Sequence, residues 1–254
     1  MQLLEDYAVN NNLSNASGKS KMLFSCMTLL VCVFSTSIIV PLLIFVIMII
    51  VTVGWARIPL KFYIKLLLAP IGFGLIALIA MTFFFGIEPW FSIDIFGFTL
   101  TATKDGFSRA LISAGRMLGS VTCLLFLALT TPMADIFVLL HKLHLPAVFI
   151  ELSMLIYRNI FIMLQEALRM EYAQKMRLGY SDISGSIRAL SMLAGNLFIR
   201  SWDSAERTLI AMDSRCYDGT IRVLVEDPPV SKTFLFGLVG FELVLIYLNT
   251  IIPV

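Results

Sequence analysis

Two segments place an arginine one helical turn beyond an alanine: Ala173-Gln174-Lys175-Met176-Arg177 and Ala211-Met212-Asp213-Ser214-Arg215. Residues four apart share one face of a helix. A small residue there admits a partner's surface, while the guanidinium projects with five fixed donors that suit carboxylates and carbonyl oxygens. Gly179 and Gly219 follow within four residues of the two arginines, and glycine in such positions commonly ends a helix. One such arginine reads as a cation cap on the helix dipole, worth about 0.3–1 kcal/mol. Recurrence of the whole pattern 38 residues later favours docking to a partner.

Other candidate groups are weaker. Ser17-Gly18-Lys19-Ser20 ends like a phosphate-binding loop, but Leu13 stands where that motif needs glycine, and an apolar run follows where a strand should precede. The chain is therefore not itself expected to be an ATPase. His141 and His144 are spaced i, i+3, yet two imidazoles fall short of the three or four ligands of a zinc site. They read as interfacial residues, and no metal ligands are assigned. Cys26, Cys32, Cys123 and Cys216 show no C-x-x-C spacing, and the three in apolar stretches read as packing residues. Arg116 and Glu242 lie inside apolar runs, where burying a charge is costly. Arg116 is either functional or snorkels to an interface; Glu242 either pairs across a bundle or lines a cavity. No Ser-His-Asp set, paired-carboxylate cleft or nucleotide-binding glycine loop is visible, so no catalytic residue and no cofactor is assigned.

The elements that carry these residues follow from composition. Hydrophobic residues make up 59% and charged residues 14% of the 254, with a mean hydropathy of +0.90, far from the roughly 25% charged content of soluble domains. This predicts an all-α integral membrane protein, with the lipid bilayer as its first partner. A net charge of +2 gives no argument for nucleic acid. Residues 165–227 hold 17 of the 36 Asp, Glu, Lys and Arg, and a segment so charged is excluded from hydrocarbon. The uncharged run 22–56 would measure about 52 Å as one helix, against a hydrocarbon core of roughly 30 Å. Ser35-Thr36-Ser37 and Pro41 punctuate it, so two spans are expected, about 22–38 and 40–56. Further spans are expected at 64–86, 108–130 and 233–252, with a hairpin-like loop over 91–105 and close helix packing at Gly115-x-x-x-Gly119. The segment 147–164 is apolar enough for a sixth span, but Glu151 and Arg158 favour a helix lying partly on the bundle. Five spans put Lys19, Lys21, the 57–65 loop and the charged insert on one side, the cytoplasm by the positive-inside rule. The polar start, followed by an apolar run too long for a cleavable leader, predicts a retained first span.

Within the insert, Ile187, Leu190, Ala194, Phe198, Trp202, Ala205, Leu209 and Met212 recur at the α-helical period. Leu164, Leu168, Tyr172 and Met176 recur every four residues. Two amphipathic helices are thus expected, each ending at one arginine motif, joined by the turn-rich 179–186 and folded back on each other. The division is 1–132, a transmembrane bundle of about four spans; 133–230, a cytoplasmic coupling-helix region; and 231–254, a last transmembrane helix.

At this point the chain resembles the transmembrane (T) component of energy-coupling factor (ECF) transporters, most closely the cobalt/nickel-type subfamily called CbiQ. The residues that carry the resemblance are Thr130-Thr131-Pro132-Met133-Ala134-Asp135-Ile136 and Leu143-His144-Leu145-Pro146, then Tyr157-Arg158-Asn159, Gln165-Glu166-Ala167, Met176-Arg177-Leu178 and Ser214-Arg215-Cys216. In that family two coupling helices end in Ala-Arg-Gly-like motifs that enter grooves on two ATPase subunits. The resemblance implies ATP-binding partner subunits, a CbiM-like substrate-binding S component and a small membrane subunit. It also implies a non-enzymatic role in importing Co²⁺ or Ni²⁺, with Ala173, Arg177, Gly179, Ala211, Arg215 and Gly219 as the ATPase-coupling set. The flanks depart from Ala-Arg-Gly at both places, though Tyr217 and Gly219 match the family's longer A-M-x-x-R-x-[FY]-x-G run. A vitamin-type T component, a stand-alone channel or secondary carrier lined by Arg116 and Glu242, and a membrane scaffold are the rival readings.

Overall fold

A computed structural model describes residues 2–13, 16–84, 89–95, 98–142, 146–219 and 232–251. The 143–145 part of the proline stop, including His144, and Arg222, Glu226 and Asp227 lie outside the described residues, as does the side chain of His141. The chain divides into two compact units, Met1–Ile136 with Glu226–Val254, and Phe137–Val225.

In the first unit, α1 (Gln2–Val9) precedes α2 (Gly18–Phe34), and α3 (Ile39–Ile49) runs on into a π-helical turn, Ile50–Trp55. Helix α4 (Leu60–Phe84) leads to an antiparallel pair, β1 (Pro89–Ile95) and β2 (Phe98–Thr103), where the sequence suggested a hairpin. Helix α5 (Lys104–Thr130) packs against α2, α3 and α4, and α9 (Lys232–Ile251) returns against α2 and α3. The apolar run breaks at 35–38, as its Ser-Thr-Ser punctuation predicts. Asn249 of α9 closes that break. Its Oδ1 accepts from the Thr36 N–H and the Ser35 hydroxyl, both at 3.0 Å, and from the Ser37 N–H at 3.4 Å. Backbone groups deprived of water must find partners within the protein. Asn249→Ala is therefore expected to cost about 1–3 kcal/mol in detergent unfolding, the penalty of leaving the N–H groups of the break without their acceptor, while Asn249→Asp, which keeps an acceptor, loses less.

The far end of α5 is closed similarly. Lys21, buried at the start of α2, donates to the Thr130 carbonyl at 2.9 Å, and Asn11 Nδ2 lies 3.3 and 3.4 Å from the Leu129 and Thr130 carbonyls. These satisfy acceptors that a helix C-terminus leaves open. Gly18 belongs to the sequence's false phosphate loop, and packing explains its presence. A Cβ there would stand 2.8 Å from Cβ of Asp135. Cys32 and Cys123 lie in the core with Val40, Ile44, Met48 and Phe126, whereas Cys26 is exposed. Glu242 is 8% exposed, and its Oε1 sits 2.8 Å from the Thr28 hydroxyl, linking α9 to α2. Arg116 is half-buried, its Nε without a hydrogen-bond partner among the described residues.

The second unit is dominated by α7 (Ala147–Met176) and α8 (Ile183–Asp213), preceded by most of α6 (Met133–Lys142). By length and composition Leu60–Phe84, Lys104–Thr130 and Val148–Met176 can each cross a membrane, and Ile39–Trp55 and Phe236–Ile251 are shorter apolar helices. The segment 147–164 is thus the first half of a 30-residue helix.

Candidate functional site: two arginine-tipped helix ends

Helices α7 and α8 fold back on each other. Arg200 pairs with Glu166 at 2.6 Å, Glu166 also holds Arg169 at 3.2 Å, and Ser204 reaches Asn159 at 3.5 Å. Helix α8 turns buried or half-buried Ala189, Leu193, Leu197, Ser201 and Ser204 inward, small residues recurring among leucines. The larger stripe that announced the helix in the sequence stays uncovered: Phe198, Trp202 and Leu209 are all exposed.

Both helices stop one or two residues before their arginine, and the two ends share one geometry. At the first, Arg177 N–H donates to the Gln174 carbonyl (3.1 Å), Leu178 N–H to Lys175 (3.0 Å) and Gly179 N–H back to Gln174 (2.9 Å). At the second, Arg215 N–H donates to Met212 (3.0 Å), Cys216 N–H to Asp213 (3.0 Å) and Tyr217 N–H back to Met212 (3.1 Å). Each arginine is followed by a residue in the left-handed region, Leu178 and Cys216, both at φ 57°. The repetition is therefore one of backbone as well as of letters. It also shifts the correspondence: Gly179 matches Tyr217, and Gly219, at φ 86°, belongs to a later turn. Neither glycine takes the left-handed position after the arginine.

Non-glycine residues pay roughly 1–2 kcal/mol for that conformation. Leu178→Gly and Cys216→Gly are accordingly expected to stabilise their helix ends by up to about 1 kcal/mol, seen as slower amide exchange over 172–179 and 210–217. Unchanged or faster exchange would refute the strain.

The arginines themselves are exposed, and neither guanidinium bonds to another described residue. Ala173 is exposed and Ala211 half-buried behind them. The supports are fixed from below. Gln174 Nε2 donates to the Ala189 carbonyl (3.0 Å) and its Oε1 accepts from Tyr180 OH (2.8 Å), tying the first end to the start of α8. Asp182 opens α8 by accepting from the Ile183 N–H at 2.7 Å. At the second end Tyr217 OH donates to Glu151 Oε2 at 3.0 Å. Desolvation first, and then that carboxylate, push the Tyr217 phenol up, so it stays a donor through the neutral range. Two guanidinium groups thus project from rigid, matched platforms, an arrangement suited to binding rather than to bond-making. Among the described residues no group of three or more His, Cys, Asp and Glu could hold a metal.

A family model described as cobalt transport protein, CbiQ, matches residues 10–225. The chain belongs to the CbiQ family. It is a membrane protein, with the all-α spans that membership and apolar helices together require. An uncharacterised protein of Methanocaldococcus jannaschii is 42% identical over 250 residues, covering 97% of this chain and 93% of that one. A putative fused cobalt transport protein CbiMQ of Methanocorpusculum labreanum is 34% identical over 258 residues, 96% of this chain but 43% of that protein. The cobalt transport protein CbiQ of Salmonella typhimurium is 30% identical over 166 residues, 64% of this chain and 74% of that one. The last two are transport proteins by name. The match to residues 10–225 takes in both arginine ends and stops short of α9.

Proposed function

We propose that this CbiQ-family chain is the non-catalytic coupling subunit of an ECF-type importer for Co²⁺ or Ni²⁺. Its two arginine ends seat in grooves on two ATP-hydrolysing partner subunits, and closure of those subunits moves α7 and α8. A CbiM-like membrane partner carries the ion. The observation that carries this reading is the duplicated end geometry, an arginine with no partner among the described residues, held on the same three backbone bonds at both places. One site alone reads as a cap; two matched sites read as two plugs for a paired partner. The fused CbiMQ relative supports a CbiM-like partner, and the charge distribution supports cytoplasmic arginine ends and N-terminus. The coupling residues are Ala173, Arg177, Gly179, Ala211 and Arg215, with Gly219 in the turn that follows.

Purification of the tagged chain from its native membrane tests the assignment. Stoichiometric co-elution of ATPase subunits and a CbiM-like protein is expected, with ATP-dependent ⁵⁷Co²⁺ uptake in proteoliposomes of the eluted complex. Uptake by the purified chain alone, with no ATPase present, would replace this reading by a stand-alone carrier.

A further inference from the structure

The corner between the π-helical turn and α4 holds a third left-handed non-glycine residue. Arg57 sits at φ 56°, a conformation that disfavours any side chain with a Cβ. Its neighbours leave it nothing to hold: Arg57, Lys61 and Lys65 are exposed or nearly so, and none bonds to another described residue. Nor does the local sequence neutralise them, since no Asp or Glu occurs between Asp6 and Glu88. Strain at a non-glycine residue whose side chain bonds to no other described residue points to a use outside the fold. A general preference for cations beside membrane spans accounts for charge here, but any nearby position would satisfy it without a left-handed backbone.

The surroundings specify what is used. Trp55, at the end of the π-helical turn, is 69% exposed, the exposure expected of a ring at the membrane–water boundary. Lys61 and Lys65 lie one turn apart on α4. One position before each, about 100° around the helix, runs a second row, Leu60, Ile64 and Leu68, all exposed. Cations therefore border a continuous apolar strip two turns long. A free phosphate would gain from the cations alone; a phospholipid uses both.

We propose that this corner binds one anionic phospholipid. Arg57 and Lys61 take the headgroup phosphate, Lys65 reaches up along its stem to the same level, Trp55 flanks the glycerol region, and an acyl chain lies along Leu60, Ile64 and Leu68. Arginine is suited to this position because its planar fork meets two phosphate oxygens at once. The arginine ends of α7 and α8 take no part in this site, so it stands whether or not the coupling role holds.

The test uses the full chain in phosphatidylcholine nanodiscs, with and without phosphatidylglycerol, read by native mass spectrometry and thermal unfolding. One phosphatidylglycerol should stay bound to the wild-type chain and raise its melting temperature by roughly 2–4 °C. Arg57→Gly with Lys61→Gln should lower that retention at least tenfold and erase the shift. In phosphatidylcholine alone the same variant should melt no lower than wild type, because glycine relieves the left-handed backbone. Arg57→Gln with Lys61→Gln, which keeps a Cβ, should lose the lipid equally and serves if the glycine variant misfolds. Retention at the wild-type level in both variants would overturn the proposal. So would an equal thermal shift from millimolar inorganic phosphate in phosphatidylcholine discs, which would make the site one for free phosphate.

Discussion

Reversing both arginines, Arg177→Glu with Arg215→Glu, should abolish ATP-driven uptake while leaving the chain in the membrane. Removing one partner of a desolvated charged contact costs about 2–5 kcal/mol, or more than tenfold in affinity per site, and reversal adds like-charge repulsion. With two sites lost, ATPase subunits should be absent from the purified complex. Each single reversal should leave one end seated, so that ATPase subunits still co-purify at reduced yield and uptake falls by at least an order of magnitude. Folding should be untouched, because both side chains are exposed and bond to no described residue. Arg169→Glu is the control: it is likewise exposed on α7, but its guanidinium is already held by Glu166, so it should fail to uncouple. Normal uptake by the doubly reversed chain, at normal abundance, would remove the arginines from the mechanism.

The frame is legible in the sequence because membrane burial writes itself in composition. The break in the first apolar run, a hairpin-like turn-back after α4 and the long charged helices were all readable from punctuation and period, though not that the hairpin consists of paired strands. Less readable was which side of α8 packs. The eye takes large apolar residues for the buried face, yet Ala189, Ser201 and Ser204 face α7 while Phe198 and Trp202 do not. Two helices that approach closely select small side chains, and the bulky stripe is left for another surface. The terminator of α7 and of α8 was misleading for a related reason. Glycine is the residue that enters the left-handed region without cost, so Gly179 and Gly219 stand out in the letters. The chain places Leu178 and Cys216 there instead, and only the backbone bonds reveal that Gly179 and Tyr217 are equivalent. Contacts such as Asn249 with Ser35, 214 residues apart, have no local signature at all.

The Gly115-x-x-x-Gly119 pair shows the same limit and yields the largest stability effect expected of a single methyl group. The letters treat the two glycines alike. In the bundle they differ: a Cβ on Gly115 would meet its nearest atoms at 3.8 Å, ordinary contact, whereas a Cβ on Gly119 would stand 2.6 Å from Cys32 Sγ and 2.9 Å from the Pro41 carbonyl oxygen. The sulfur is itself buried in the core, and the carbonyl is backbone, so neither can swing aside. Alanine gains about 1 kcal/mol over glycine in a helix interior, which should show undiminished at position 115. At 119 that gain is overwhelmed by the shift of α2 and α3 away from α5, for which overpacking costs of about 1–3 kcal/mol or more apply. Gly115→Ala is therefore expected to melt at or above the wild type, and Gly119→Ala lower by up to roughly 8 °C, a net loss of up to about 2 kcal/mol at about 2–4 °C for each kcal/mol. Equal melting of the two variants would mean that α5 does not approach α2 and α3 as closely as the glycine contact requires. A companion variant isolates the cause: Cys32→Ala removes the nearer obstacle and should recover part of the loss at 119, leaving the remainder to the Pro41 carbonyl.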